Sequence, residues 1–326
     1  MASVWKMQCL LIALLIFIMA DLVSSRKLYL HDQSSSMHER HQLWMKKYGR
    51  VYRDKAEKER RFEIFKHNVK FIESFNAAGN KSYKLRINKF ADLSNDEFKA
   101  SHNGYRRSEQ TRSVKATSFK YANVTGLPAS MDWRKQGAVT PVKDQDDCGS
   151  CWSFSALAAV ESSYLLKYGD PYDLSEQQLV ECDYTDHNRA CNMGYMTEAY
   201  DYIIANGGVT TEQNYPYVAG RQYCDRIKAA QPVAQLAYYQ LVPPNSEAAL
   251  IQAVNMAPVS VGLSGDETFF HHYTGGIITA QHCNPTFNHA ALLIEHWGEG
   301  GYMRIARDGK AGICGITSAA TIPFIR

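Results

Sequence analysis

The sequence holds one short segment in which two cysteines are close enough to act together, Cys148-Gly149-Ser150-Cys151. Such a pair can be half of a zinc site, a redox-active dithiol, or a disulfide cysteine beside a free thiol. A zinc site would need a second pair at similar spacing, and none follows. Seven cysteines remain once Cys9 of the apolar N-terminus is set aside, and an odd number leaves one thiol unpaired. A free reactive cysteine is therefore favoured, although an unpaired Cys191 would favour a disulfide oxidoreductase.

Cys151 is the better candidate for the free thiol because it opens a helix predicted over residues 151–167, before Gly169. The N-terminal end of a helix stabilises a thiolate. A thiolate nucleophile needs a proton acceptor, and His289 opens a predicted apolar strand about 140 residues later, a typical separation for such pairs. A lone histidine at a strand start is more often structural, so the prediction depends on its pairing with Cys151.

Several segments of the chain resemble those of papain-like cysteine proteases. Residues 145–155 resemble the active-site segment of that family, residues 132–134 its mature N-terminus, and residues 288–290 its histidine motif. Residues 174–177 and 297–302 match other family segments. Further upstream, residues 88–92 and a one-sided helical stripe resemble propeptide motifs of the cathepsin L-like branch. The stripe consists of Glu57, Arg61, Phe65, Asn68, Ile72 and Asn76. The resemblance covers nearly the whole chain after residue 25.

The resemblance implies a cysteine endopeptidase with three catalytic residues. Cys151 would attack the scissile carbonyl, and His289 would form a thiolate–imidazolium pair with it and protonate the leaving amine. Gln145 would donate a side-chain N–H to the developing oxyanion, together with the backbone N–H of Cys151. No cofactor and no metal are implied.

The resemblance also implies substrate-binding residues and disulfides. Gly194 would bind the substrate main chain, and an uncharged pocket would prefer a bulky apolar or aromatic residue one position before the scissile residue. The pocket residues would be Tyr195, Met196, Gly262, Phe287, Ala290 and Ala319. The implied disulfides are Cys148–Cys191, Cys182–Cys224 and Cys283–Cys314.

The sequence departs from the family after the histidine. The family has an Asn-Ser-Trp-Gly segment whose asparagine orients the imidazole, whereas only seven residues separate His289 from Trp297 and none is asparagine. Glu295 and His296 are the available substitutes, but the segment is too short to fold back as a strand. The alternative hypothesis is therefore a catalytically impaired relative that acts by binding. Smaller departures are Met193 and Arg86, which stand where the family usually has glycine.

The elements that must position these residues fall into three parts. Residues 1–25 have a charged start, a short apolar run and small residues before Arg26, which predicts a cleaved signal peptide. Residues 26–126 are predicted as an inhibitory propeptide and residues 127–326 as the peptidase domain. The expected fold class is α+β, a papain-like two-subdomain fold with a helical left half, an antiparallel β-barrel-like right half and a helical N-terminal propeptide.

Local patterns predict several elements. Ser36 and Asp54 begin capping-box patterns, so helices are expected from each to about residues 48 and 77. A further helix is expected over residues 197–205, and strands over 83–87, 259–263, 290–294 and 302–305. Residues 103–126 are polar with few apolar anchors and are predicted as an exposed linker.

Charge is distributed unevenly along the chain. Residues 1–126 carry 24 basic and 12 acidic residues, whereas residues 127–326 carry 12 basic and 21 acidic residues. Opposite charge favours docking of one part on the other, so the chain's own propeptide is the expected partner besides peptide and protein substrates. Protein inhibitors of cysteine proteases are a further candidate. Neither nucleic acid nor a membrane is an expected partner, and a monomer is expected.

The predicted signal peptide implies the secretory pathway, with an extracellular, vacuolar or lysosomal destination. Asn80 and Asn123 are N-glycosylation acceptors in that setting, whereas Pro285 blocks the sequon at Asn284.

Overall fold

The computed structural model describes residues 36–105, 119–279, 283, 288–290, 298–309 and 312–326. The chain divides into two compact units, one up to Lys70 and the other from Phe71 onward. The predicted signal peptide, Phe287 and the shortened segment with Glu295 and His296 lie outside the described residues. None of the described helices is long and apolar enough to cross a bilayer.

The first unit contains α1 (Met37–Lys47) and most of α2 (Lys55–Ala77). Both helices begin where the sequence predicts. The Ser36 side chain accepts the Glu39 N–H, and Asp54 Oδ1 accepts the Glu57 N–H at 2.8 Å. The buried rings of Trp44 and Phe65 pack with centroids 5.3 Å apart, which gives this unit an aromatic core.

The last turns of α2 belong to the second unit and hold β1 (Tyr83–Leu85) in place. Asn76 Nδ2 donates to the Leu85 carbonyl at 2.7 Å, and the Leu85 N–H donates back to Asn76 Oδ1 at 3.1 Å. After β1 comes α3 (Asn95–His102), which starts with a complete capping box between Ser94 and Glu97. The N-terminal segment therefore stays ordered up to the residues that enter the site described below.

Four helices form the helical half of the second unit: α4 (Cys151–Tyr168), α5 (Glu176–Cys182), α6 (Met196–Ala205) and α7 (Arg226–Ala229). Most residues of α4 are buried, and the helix packs against α5, α6, β3, β5 and β7. It ends at Gly169, whose positive φ of 78° suits glycine. The central helix therefore carries its first residue, Cys151, to the border with the strands.

The β-rich half contains β2 (Leu236–Leu241), β3 (Ser260–Leu263), β4 (Tyr273–Ile278), β5 (His289–Ala290), β6 (Arg304–Ile305) and β7 (Ala320–Ile325). One sheet has the order β2-β7-β3-β5, and the other has the order β1-β4-β6. Two helices, α8 (Glu247–Val254) and α9 (Thr268–His272), and a 3₁₀ turn over Ile313–Gly315 interrupt the strands.

The mixed α+β class is confirmed, but the barrel-like right half is not seen as a closed antiparallel barrel in the described residues. Its strands form two open sheets, and β4 pairs with β6 in parallel. The N-terminal segment also supplies β1, which pairs antiparallel with β4. Residues 291–294 of the predicted strand that begins at β5 are not described, so this part of the prediction is untested.

The three disulfides that the resemblance implies are present: Cys148–Cys191, Cys182–Cys224 and Cys283–Cys314. Cys151 is the free cysteine of the described residues and is buried. An unpaired Cys191 would have favoured a disulfide oxidoreductase that uses Cys148 and Cys151. Because Cys191 is paired with Cys148, the structure does not support that hypothesis.

Candidate active site

Cys151 is the first residue of α4, and its side chain is fully buried. The N-cap residue Ser150 makes no side-chain capping bond, and the Trp152 N–H of the first turn is directed at the thiol. The Ala290 N–H of β5 lies 3.5 Å from Cys151 Sγ. The helix start and the β-rich half therefore meet at this sulfur.

His289 begins β5 and pairs with Leu263 of β3, which puts it next to the residue that contacts the thiol. Its ring is buried, with the edge of Phe270 at a centroid distance of 5.4 Å. Nδ1 has no hydrogen-bond partner among the described residues. The sequence prediction of a cysteine and a histidine on neighbouring elements agrees with this placement.

Gln145 lies in the same place, with its side chain buried beside the helix start. Its Nε2 donates to the Cys148 carbonyl at 2.7 Å and to the His102 carbonyl at 3.2 Å. Gln145, which the resemblance implies as the oxyanion donor, therefore binds the carbonyl of His102 at the end of α3. The same carbonyl also acts as a hydrogen-bond acceptor for the His289 ring.

Residues 103–105 run through the site, although the sequence analysis placed them in an exposed linker. The Gly194 N–H donates to the Gly104 carbonyl at 2.7 Å, and the Tyr105 N–H donates to the Asn288 carbonyl at 3.1 Å. Gly104 passes so close to Gly149 that an added Cβ would lie 1.6 Å from the Gly149 carbonyl oxygen. The linker prediction is wrong here because two backbone hydrogen bonds and close backbone packing, which composition does not reveal, hold the segment.

The Tyr105 side chain occupies the predicted specificity pocket. It is 5% exposed and packs in the same buried cluster as Tyr195, Met196 and Ala290, with the partly buried Ala319 at its edge. A Cβ on Gly262 would lie 2.4 Å from the Tyr105 ring, so the missing side chain makes room for it. Six of the seven predicted substrate-binding residues therefore lie together around this segment, and Phe287 is outside the described residues.

Burial makes the cysteine and histidine neutral in this closed arrangement. The pKa of the Cys151 thiol is raised by burial, which outweighs the N–H groups of Ala290, Gly104, Trp152 and Tyr105 directed at the sulfur. Burial also lowers the pKa of His289 to about 4, and the His102 ring adds to the effect. The expected thiolate at the helix start is therefore not favoured while residues 102–105 cover the site.

A group of buried histidines lies where α3 meets α9. The His102 ring stacks on Phe98 with centroids 4.6 Å apart, and Phe98 lies 4.6 Å from the His271 ring. His271 and His272 in turn lie 4.2 Å apart. Burial lowers the pKa of His102 to about 4 and that of His272 to about 3. The sequence pattern alone does not mark these histidines as a group, although His271 and His272 are adjacent in an aromatic run.

Two cross-contacts agree with the predicted charge complementarity. Lys89 forms an ion pair with Asp144, and Lys99 Nζ lies 3.9 Å from Asp266 Oδ1. Backbone contacts add to them, since the Arg86 N–H donates to the His272 carbonyl at 2.9 Å. Within the described ranges, no cluster of three or more histidine, cysteine or acidic side chains could hold a metal ion.

Comparison with known proteins agrees with this arrangement. Residues 127–296 match the model of the papain family cysteine protease, and residues 41–98 match the cathepsin propeptide inhibitor domain. The chain belongs to the papain family of cysteine proteases. Its N-terminal part is the inhibitory propeptide domain of a zymogen, and the residues that cover the thiol follow directly after that match.

Relatives among characterised proteins are similar over most of their length. The senescence-specific cysteine protease SAG39 of Oryza sativa subsp. indica is 44% identical over 315 residues, which are 90% of this chain and 91% of that protein. Fruit bromelain of Ananas comosus is 37% identical, over 97% of this chain and 94% of that protein. This papain-family chain is therefore similar to named cysteine proteases along both the propeptide and the peptidase parts.

Solved structures of proforms have the same fold. The proform of the ragweed pollen allergen Amb a 11, a cysteine protease, has a TM-score of 0.81 at 32% identity, covering 91% of this chain and 97% of that one. The recombinant stem bromelain precursor has a TM-score of 0.77 at 36% identity, covering 89% and 99%. The papain-like proenzyme architecture is therefore shown by sequence and by structure.

Proposed function

We propose that the chain is the zymogen of a cysteine endopeptidase that uses Cys151 as nucleophile, His289 as acid and base, and Gln145 as oxyanion donor. The observation that supports this most directly is the chain's own peptide in the site. The Gly104 carbonyl accepts a hydrogen bond from the Gly194 N–H, while the N–H groups of Gly104 and Tyr105 are directed at the thiol. A site that binds an extended peptide beside a nucleophile is built for acyl transfer from peptides.

The proposed reaction begins when the covering segment leaves. Water then enters, which removes the burial that raises the pKa of Cys151 and lowers the pKa of His289, so that a thiolate–imidazolium pair can form. The thiolate attacks the substrate carbonyl, whose oxygen takes the place of the His102 carbonyl at Gln145 Nε2. The imidazolium protonates the leaving amine, and His289 then activates the water that hydrolyses the thioester.

The specificity pocket supports a preference for a bulky apolar or aromatic residue one position before the scissile residue. Tyr105 already occupies it against the uncharged side chains of Tyr195, Met196 and Ala290. A charged substrate side chain would lose hydration there without gaining a partner.

Hydrolysis of fluorogenic peptides by acid-processed protein tests the proposal. Peptides with Phe, Tyr, Leu, Arg or Asp in the selected position are compared, with Cys151→Ala as the control. We expect turnover of the aromatic and aliphatic peptides that the substitution abolishes. A folded and processed protein that binds peptides without cleaving them would instead support the impaired relative that acts by binding.

We further propose that the protein is made in the secretory pathway as a glycosylated proform. Three disulfides form and persist in an oxidising compartment. Asn80 and Asn123 are both exposed, and both precede the match to the peptidase family at residue 127. Cleavage near residue 126 would therefore remove both glycans with the propeptide.

A further inference from the structure

A buried amide–carboxylate pair lies behind the backbone that receives the covering segment. Asn188 is fully buried, and its Oδ1 accepts the Tyr195 N–H at 2.6 Å. Its Nδ2 donates to Asp183 Oδ2 at 2.5 Å and lies 3.5 Å from the Tyr195 carbonyl oxygen. Neither Asn188 nor Asp183 belongs to the candidate site residues that the sequence predicts.

The hydrogen bond to Tyr195 fixes a peptide unit that borders the substrate. The N–H of Tyr195 and the carbonyl of Gly194 belong to one planar trans peptide, so they point in opposite directions. Because Asn188 holds that N–H inward, the Gly194 carbonyl is turned away from Asn188. The N–H of Gly194 itself is the donor to Gly104 at 2.7 Å. The orientation of the main chain at Gly194 therefore depends on Asn188.

Asp183 decides which way the Asn188 amide faces. Asp183 Oδ2 accepts from Asn188 Nδ2, and a carboxyl oxygen that carries no proton can only accept, so Nδ2 faces it and Oδ1 is left for the Tyr195 N–H. With an apolar side chain in place of Asp183, the amide could flip and present its NH₂ group to that N–H. Asp183 is itself 4% exposed, so solvent offers Asn188 little alternative.

We propose that Asn188 is a positioning residue for substrate binding and that Asp183 holds it in the orientation that sets the Gly194–Tyr195 peptide. The inference rests on the proposed function, because it assumes that substrates bind Gly194 as the covering segment does. It extends that function to a pair of residues that contact neither the substrate nor the thiol.

The surroundings of Asp183 make the pair sensitive to added charge. Burial raises the pKa of Asp183 to about 7, and the carboxylates of Glu198 and Asp201 on α6 add to this, while the bond from Asn188 opposes it. The Tyr202 hydroxyl on the same helix also senses the Asp183 charge. His187, beside Asn188, lies 3.6 Å from Glu198 and so faces this carboxylate group as well.

The first variant is Asn188→Asp, which puts a second carboxylate against Asp183. Two buried carboxylates in contact need to share a proton, which becomes unfavourable as the pH rises. For a peptide that reaches Gly194, we expect KM to rise about tenfold at pH 7.5 and less at pH 5. The kcat should stay within about threefold, and p-nitrophenyl acetate, which acylates the thiol without reaching Gly194, should react as before.

The second variant adds Asp183→Asn to Asn188→Asp. An amide at position 183 can donate to the new carboxylate, which still accepts the Tyr195 N–H, so the peptide KM should return to within about threefold of the original. Asn206→Asp is the matched control, since this amide donates to the Gly208 and Ala229 carbonyls instead. Equal losses for the peptide and the ester, or no rescue by the double variant, would overturn the proposal.

A readout without turnover separates this inference from the proposed function. In the full-length proform the Gly104–Gly194 hydrogen bond covers Cys151, so Asn188→Asp should speed alkylation of the thiol by iodoacetamide several-fold at pH 7.5. The double variant should restore slow alkylation. If the original protein hydrolyses no peptide, the proposed function fails, while the alkylation result still decides the role of Asn188.

Discussion

Gln145 is the residue whose proposed contribution to the reaction can be isolated. Its Nε2 is held 2.7 Å from the Cys148 carbonyl, so the donor is aimed before substrate binds. Gln145→Ala should lower kcat by about 10² to 10³ and leave KM nearly unchanged, because the oxyanion exists only in the transition state. Steady-state kinetics of the processed enzyme measure this, and a change in KM alone would contradict the assigned role.

Gly104 is the residue on which closure of the proform depends. A Cβ at this position would lie 1.6 Å from the Gly149 carbonyl oxygen, and the clash is with backbone that cannot turn aside. Gly104→Ala should therefore expose Cys151 and raise its alkylation rate in the proform by tenfold or more at pH 7.5. Gly220→Ala is the control, because a Cβ there would lie 3.7 Å from the Val218 carbonyl oxygen, an ordinary van der Waals contact.

Site residues differ in whether the sequence alone could predict their roles. Gln145 could be predicted because it stands six residues before a cysteine with a recognisable neighbourhood. Gly104 and Tyr105 could not, since a glycine and an aromatic residue in a polar run are also typical of a loop. Asn188 gave no signal either, because its role depends on the buried partner Asp183 and on the fold of the chain between them.

At the scale of elements, α3 is the part of the propeptide whose docking depends on pH. An exposed histidine has a pKa of about 6.5, whereas burial against Phe98 lowers the pKa of His102 to about 4. Between these values the released segment binds a proton that the docked segment does not. Docking is therefore fully stable above about pH 6.5 and weakens as the pH falls toward 4, by up to about 3 kcal/mol.

His102→Phe tests this dependence, since phenylalanine keeps the ring on Phe98 and removes the proton site. The variant should release the site at a pH about one unit lower, measured as the midpoint of Cys151 alkylation against pH in the proform. Ser101→Ala is the control: it removes the 2.7 Å contact to His102 Nδ1 and leaves the titrating ring. An unchanged midpoint in His102→Phe would assign acid release to other groups.

Elements with local signals could be predicted, and those made by distant pairing could not. The helices after Ser36 and Asp54 and the helix from Cys151 start where the caps or the apolar spacing indicate. The box at Ser94 and Glu97 was equally visible in the sequence and would have found α3. The strand β7 was missed, because it pairs with β2 some 80 residues away in sequence.

At the scale of the whole molecule, the two ends of the chain carry opposite net charge, which predicted that one part docks on the other. The described structure adds that much of this docking is apolar. Tyr83, Leu85, Phe90 and Phe98 of the propeptide lie in the same buried cluster as the β-rich half. Burial of large side chains contributes about 1.5–3 kcal/mol each, more than an exposed ion pair does.

Salt and acid should therefore act on the proform to different extents. The ion pairs of Lys89 with Asp144 and of Lys99 with Asp266 are partly exposed, so each contributes about 0–1 kcal/mol and is screened by salt. Raising NaCl from 0.05 to about 0.5 M at pH 7.5 should change the rate of Cys151 alkylation less than about fivefold. Acidification to pH 4.5 at constant ionic strength should raise it far more, because release of the segment lets His102 and His289, whose pKa values burial lowers, take up protons.

Lys89→Gln separates the two effects within one protein. It removes the ion pair to Asp144 while leaving the apolar contacts of Phe90 and Phe98 in place. The variant should lose part of the salt response, because the Lys99–Asp266 pair remains, and keep the response to acid, when alkylation is followed across both series. The original protein could instead respond to salt as strongly as it responds to acid. That result would show that the net charges, and not the buried side chains, are what hold the propeptide in place.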